Sequence, residues 1–250
     1  MQSQRLPAGP AKQGGSSQPP QTYTVQQGFE LASASAVSAR PHLDLAAEFL
    51  VRVFSANNVP YAFMGGYSLL LRGSTRGTND VDLTVGCAMD QLVQVVKAQN
   101  QVWRPLGPTS GVLRLFIKVG GENSGVPELK VMVDVILRGS LGAPDNLQAA
   151  SEVLNSTTSL GPRAWPALDL PTVMNSKLGA FFARGASNPG SNDYQDIVFL
   201  VNNYMEPIYN IRSQLNATHR QEFVNAYARA NSGPQRMVQV KKIKHVLGIV

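Results

Sequence analysis

The stretch Phe63–Gly86, "FMGGYSLLLRGSTRGTNDVDLTVG", decides how this chain is read. A short apolar run ends in Gly65-Gly66, and thirteen residues later Asp80-Val81-Asp82 opens another. "PYAFM" and "DVDLTVG" have the length and composition of short buried strands. "YSLLLRG" between them is compatible with a short helix closed by Gly73. Alternate residues of a strand share a face, so Asp80 and Asp82 point together while Val81 and Leu83 point into the core. Two carboxylates side by side repel each other unless a cation lies between them or one takes up a proton.

Working outward, "GVLRLFIKV" and "ELKVMVDVILRG" alternate as strands do, and "GGENSGVP" between them is a turn-rich hairpin link. The second strand carries Asp134 in the middle of an apolar run, where a lone carboxylate is costly to bury. If that strand lies beside the first, the three acids converge and a divalent ion relieves the cost. Mg²⁺, or Mn²⁺ in its place, suits oxygen-only ligands, and such a site fits two-metal phosphoryl chemistry. Gly65-Gly66 lets backbone amides approach a phosphate, with the positive end of the following helix behind them and the Ser68 hydroxyl to add. No GxxxxGK[ST] loop occurs, and the acids a calcium loop needs after Asp82 are missing.

Elsewhere, "HLDLAAEFLVRVFSANN" (residues 42–58) and "MDQLVQVVKAQN", with Asp90 in its first turn, have helical spacing. Past about residue 145 strand signals fade. Three helical patterns follow, "LPTVMNSKLGAFFARG" with Pro171 in its first turn, "DYQDIVFLVNNY" and "HRQEFVNAYARA". Residues 1–30 are rich in Gln, Ser, Gly and Pro and read mostly as a disordered tail. The expected organisation is that tail, a mixed α/β core over 31–160 and a helical region over 161–250. The chain has 250 residues, long enough for a sizeable core, and an apolar fraction of 43%, ordinary for a globular protein. No apolar run is long enough to span a membrane, and no secretory leader is evident. The single cysteine, Cys87, excludes an internal disulfide and reads as a packed side chain. Cytoplasm is the expected compartment, with the nucleus open. The net charge of +6 sits at the ends: residues 204–250 hold seven basic residues against Glu206 and Glu222. "VKKIKHVLGIV" is either a surface for an anionic partner such as RNA or a solvated helix face.

An apolar residue, Gly-Gly, thirteen residues, Asp-x-Asp in a strand and a third Asp in a later strand together resemble the nucleotidyltransferase superfamily of the DNA polymerase β type. "RGSTRGTNDVDL" looks most like its small-molecule and toxin-type members, which often carry Arg-x-Thr before the acid pair, here Arg76 and Thr78. The resemblance implies an α+β fold, a mixed-sheet core with a helical C-terminal part. It implies that Asp80, Asp82 and Asp134 hold Mg²⁺ and act in catalysis, and that Gly65, Gly66, Ser68, Arg76 and Lys177 bind the nucleoside triphosphate. "LPTVMNSKLGAFFARGASNPGSNDYQDIVFL" is similar to a later family segment in which Lys177 contacts phosphate and Asp193 or Asp196 positions the acceptor or serves as base. The implied reaction moves a nucleoside monophosphate to a hydroxyl or phosphate of a small molecule, a tRNA or a protein. A degenerate member, binding nucleotide or acting as a scaffold without turnover, is the competing reading.

Overall fold

The computed structural model describes residues 21–249. In chain order it runs β1 (Thr22–Tyr23), α1 (Val25–Ser35), α2 (Arg40–Ala56), β2 (Tyr61–Met64), α3 (Gly65–Leu71), β3 (Asp80–Val85), α4 (Met89–Lys97) and β4 (Val102–Pro105). Then come β5 (Val112–Val119), β6 (Leu129–Leu137), β7 (Ser151–Thr158) and β8 (Gly161–Leu168). Helices α5 (Leu170–Ala183), α6 (Asn192–Asn203), α7 (Met205–Ile211), α8 (Ala217–Ala230) and α9 (Met237–Leu247) follow. The strands form one mixed sheet in the order β1-β4-β5-β6-β3-β2-β8-β7. Its centre is the predicted arrangement: β5 and β6 pair as an antiparallel hairpin, and β6 lies parallel to β3. Among the described residues no helix is long and apolar enough to cross a membrane.

Alternation along the central strands gives the sheet two different faces. Val81, Leu83 and Val85 of β3 and Val131, Val133 and Val135 of β6 are fully buried against the apolar stripe of α2, Leu43, Ala46, Leu50, Val53 and Phe54. Cys87 packs into this same cluster, as a small apolar side chain would. On the opposite face Ala62, Met64, Ile136 and Leu168 pack under Leu178 of α5, Ile197 and Leu200 of α6, Phe223 of α8 and Ile243 of α9. The C-terminal helices therefore close the second core of the same sheet. Asp80, Asp82 and Asp134 stand on this second face, beside those helices.

Three expectations need correction. Residues 21–30 are not part of a tail, whereas the rest of that prediction falls on residues 1–20, outside the described residues. Thr22–Tyr23 extends the sheet, and Thr24 begins α1 with a capping box. The Gln27 N–H donates to Thr24 Oγ1 and the Thr24 N–H to Gln27 Oε1. Strands also continue past residue 145, because β7 and β8 form a hairpin whose polar composition hides its period. β2 flanks β8 only near Ala167, so Pro162 sits where one edge is free and its missing N–H leaves no ladder bond unmade. The helical region accordingly begins at Leu170, inside the expected 161–250 span.

Candidate active site

The registers of β3 and β6 bring the acids together. Asp82 and Asp134 are direct partners across the parallel pair, and Asp80 lies opposite Met132 two residues earlier. Met64, the last residue of β2, is the partner of Asp82 on the other side, so the Gly-Gly turn begins beside that carboxylate. Gly65 has φ +58°, and a Cβ there would lie 1.9 Å from Asp82 Oδ2. A Cβ on Gly66 would lie 2.6 Å from Thr78 Oγ1. Both positions thus require glycine, one for backbone conformation and close approach, the other for approach alone. Thr78 in turn donates its hydroxyl to Asp80 Oδ1 at 2.6 Å. The helix carrying the turn is anchored from below, where Tyr67 Oη donates to the buried carboxylate of Asp44 at 2.9 Å. Asp44 also accepts from the backbone and hydroxyl of Ser159, tying α2, α3 and the β7–β8 turn together.

The three carboxylates differ electrostatically. Burial pushes Asp82 up to about 7, with Asp80 and Asp134 adding like-charge repulsion, against the lowering pull of Lys177 and a Gly66 backbone hydrogen bond. Asp134 is clasped by Arg114, its partner across the β5–β6 ladder, through Nε to Oδ1 at 2.8 Å and Nη2 to Oδ2 at 2.7 Å. Among the described residues no three Asp, Glu, His or Cys side chains are gathered to hold a metal ion as they stand.

A ladder of alternating charge borders the acids. Asp196, fully buried on α6, accepts from Arg76 Nε at 2.6 Å and Nη2 at 3.1 Å and pairs with Lys177 Nζ at 2.8 Å. Lys177, on α5, also lies 3.5 Å from Asp193, which Arg184 engages from its other side. Ser191 caps α6 and sets its first turn, placing Asp193 and Asp196 three residues apart on the face turned to α5. Gly65, Gly66, Asp80, Asp82, Asp134, Arg76 and Lys177 are therefore assembled around one region, with Asp193 and Asp196 behind the cations. Ser68 is not at the surface of this site: it is fully buried and its hydroxyl donates to the Gly65 carbonyl at 3.0 Å. Arg114 and Asp44 escaped the sequence reading.

A family model for the nucleotidyl transferase AbiEii toxin of type IV toxin–antitoxin systems matches residues 48–241. No curated protein matches the chain. Among solved structures, an antigenic nucleotidyltransferase-like protein from Paracoccidioides brasiliensis is 19% identical, covering 80% of this chain and 92% of its own, with a TM-score of 0.53. That likeness speaks for the fold. A Thermotoga maritima protein provisionally named a nucleotidyltransferase is 14% identical over 56% of this chain and 86% of its own, with a TM-score of 0.34, too low to carry argument. The family match takes in Gly65, Gly66, the three strand carboxylates and the charge ladder from Arg76 to Asp196, and on it the chain belongs to the AbiEii nucleotidyltransferase toxin family, with nucleotidyl transfer as its class of reaction.

Proposed function

We propose that the protein moves a nucleoside monophosphate from a nucleoside triphosphate to a hydroxyl or phosphate of a small molecule or an RNA, with Mg²⁺ as cofactor. The acceptor oxygen bonds to the α-phosphorus in line as the bond from that phosphorus to the bridging oxygen breaks, and pyrophosphate leaves. The observation that carries this reading is Asp82 and Asp134 at one register level of adjacent strands, with Gly65 folded directly against Asp82. The three carboxylates are not closed around an ion as they stand, but their chemistry suits magnesium: the donors are all oxygen, and Asp82, raised to about 7 by burial among like charges, is a carboxylate in want of a cation. Asp80 and Asp82 would hold it, with Asp134 joining them. Bound there, Mg²⁺ supplies Lewis-acid stabilisation of phosphate charge.

The chain's own residues bind and orient. Gly65 and Gly66, having no Cβ, let the triphosphate come close to the main chain beside Asp82, and Arg76 and Lys177 offer it positive charge. Asp196 fixes both cations, and its burial and full complement of partners suit orientation better than proton transfer. Catalysis of this kind rests on positioning and charge stabilisation. Lys241 and Lys242 of α9 favour an RNA acceptor, for which binding falls steeply as salt rises.

The test is calorimetric titration of ATP, GTP, CTP and UTP with and without Mg²⁺, on wild type and on Asp80→Ala/Asp82→Ala. Metal-dependent binding of at least one nucleotide, lost in the double variant, is the expected result. A folded wild type that binds none of the four overturns the reading.

A further inference from the structure

Arg114 presents a contradiction in the site. A guanidinium occupies both oxygens of Asp134, the carboxylate that on the reading above completes the divalent-ion site. The clasp is built into the sheet. Arg114 and Asp134 are direct partners on β5 and β6, and Asp134 is the direct partner of Asp82 on β3. The backbone of Arg114 is pinned as well, because Tyr23 Oη donates to its carbonyl at 2.9 Å, and Tyr23 packs edge-on against Phe116. The main chain beneath the clasp is therefore fixed, and the side chain is the part free to move.

Exposure tells which partner moves. The Arg114 side chain is 49% exposed and the Asp134 side chain 15%. A released guanidinium re-enters water at little cost, whereas Asp134 stays where the strand holds it and needs another positive charge. Among the described residues no cation grips Asp82, one strand away, as Arg114 grips Asp134. One carboxylate of the parallel pair already holds a bonded cation while its partner holds none.

We propose that Arg114 is an internal competitor for the divalent ion, holding Asp134 until a cation displaces it, so that this residue sets the metal affinity of the site. The inference rests on the metal-site reading of Asp80, Asp82 and Asp134. Arg114 does not touch the reacting atoms in this account. It acts through Asp134, and its planar fork matters, because a lysine would keep the charge and lose the two-pronged grip.

The test is Mn²⁺ titration of the full chain without nucleotide, following the paramagnetic resonance signal of free Mn²⁺. Arg114→Ala is expected to bind Mn²⁺ about five- to tenfold tighter than wild type, the scale of one partly exposed charge-assisted pair. Arg114→Lys falls between them and serves if the alanine variant fails to fold. In an Asp134→Asn background the Arg114→Ala effect disappears. Mn²⁺ binding that Asp82→Asn abolishes but Arg114→Ala leaves unchanged or weakens overturns this inference alone. Absence of Mn²⁺ binding from both wild type and Arg114→Ala overturns it together with the metal-site reading.

Discussion

Asp82 carries more negative surroundings than its burial tolerates, and that has a consequence for stability that needs no substrate. Its folded value of about 7 lies above the ordinary 3.8. Between those values the folded protein keeps a proton that the unfolded chain releases, so stability falls as pH rises through the window and levels off above it. Metal-free wild type should therefore melt at a lower temperature at pH 8 than at pH 5. Asp82→Asn, which has no charge to bury, should flatten that slope and melt higher than wild type at pH 8. Parallel melting profiles for the two proteins would remove the electrostatic account of Asp82. Asp80, Asp82 and Asp134 were legible because an acid inside an apolar alternation is conspicuous in any register. Arg114 stands in an equally apolar run, but its meaning lies in the strand opposite, and a hairpin link of several residues does not fix pairing. Asp44 and Ser68 were misleading for another reason: on a helix, a polar residue turned inward looks in sequence like one turned outward.

Elements rather than residues explain why two helices of the C-terminal region belong to the site. Lys177 of α5 and Arg76 of the loop before β3 meet at Asp196 of α6, a contact between segments 120 residues apart along the chain. Asp196→Asn leaves two cations short of their counter-charge in a buried setting, and a loss of about 3–5 kcal/mol is expected for breaking such a pair. Asp193→Asn breaks a contact whose Arg184 partner is 68% exposed, and should cost well under half as much. Denaturant unfolding measures both, and equal losses would mean that the ladder has no buried end. Nucleotide affinity should follow the same order, since Asp196 aims both cations. The strand pair β3–β6 and helices α2 and α6 were readable because their apolar residues recur on one face, and α5 was marked by Pro171 in its first turn. The β7–β8 hairpin was not, as "SEVLNSTT" is mostly exposed or half-buried and pairs on one side only. Helix α1 was hidden by composition: it carries Val25 and Phe29 outward, and its capping box lies within a polar run that resembles a tail.

At the scale of the molecule, one sheet serves two cores, and the site sits where the second of them ends. The sequence suggested a boundary near residue 160 because helical patterns take over there, yet Leu168 of β8 and Ile136 of β6 contribute side chains to the core that the helices complete. Separate folding of the helices would leave Ala62, Met64, Ile136 and Leu168 facing water on the central strands, an apolar loss with no compensation. The two halves are therefore expected to melt as one unit. Leu83→Ala, fully buried against α2, and Leu178→Ala, fully buried on α5, probe opposite faces of the sheet. Each removes a buried leucine side chain at a cost of about 2–5 kcal/mol. Scanning calorimetry should show a single transition in wild type, moved to lower temperature by either substitution. Metal-dependent nucleotide binding, measured below the transition, should persist in both, since neither residue reaches the acids. Two resolved transitions, with Leu178→Ala shifting only one of them, would show that the helices fold independently. The alignment of Lys177 and Asp196 with the strand carboxylates would then depend on docking between two units rather than on a shared core.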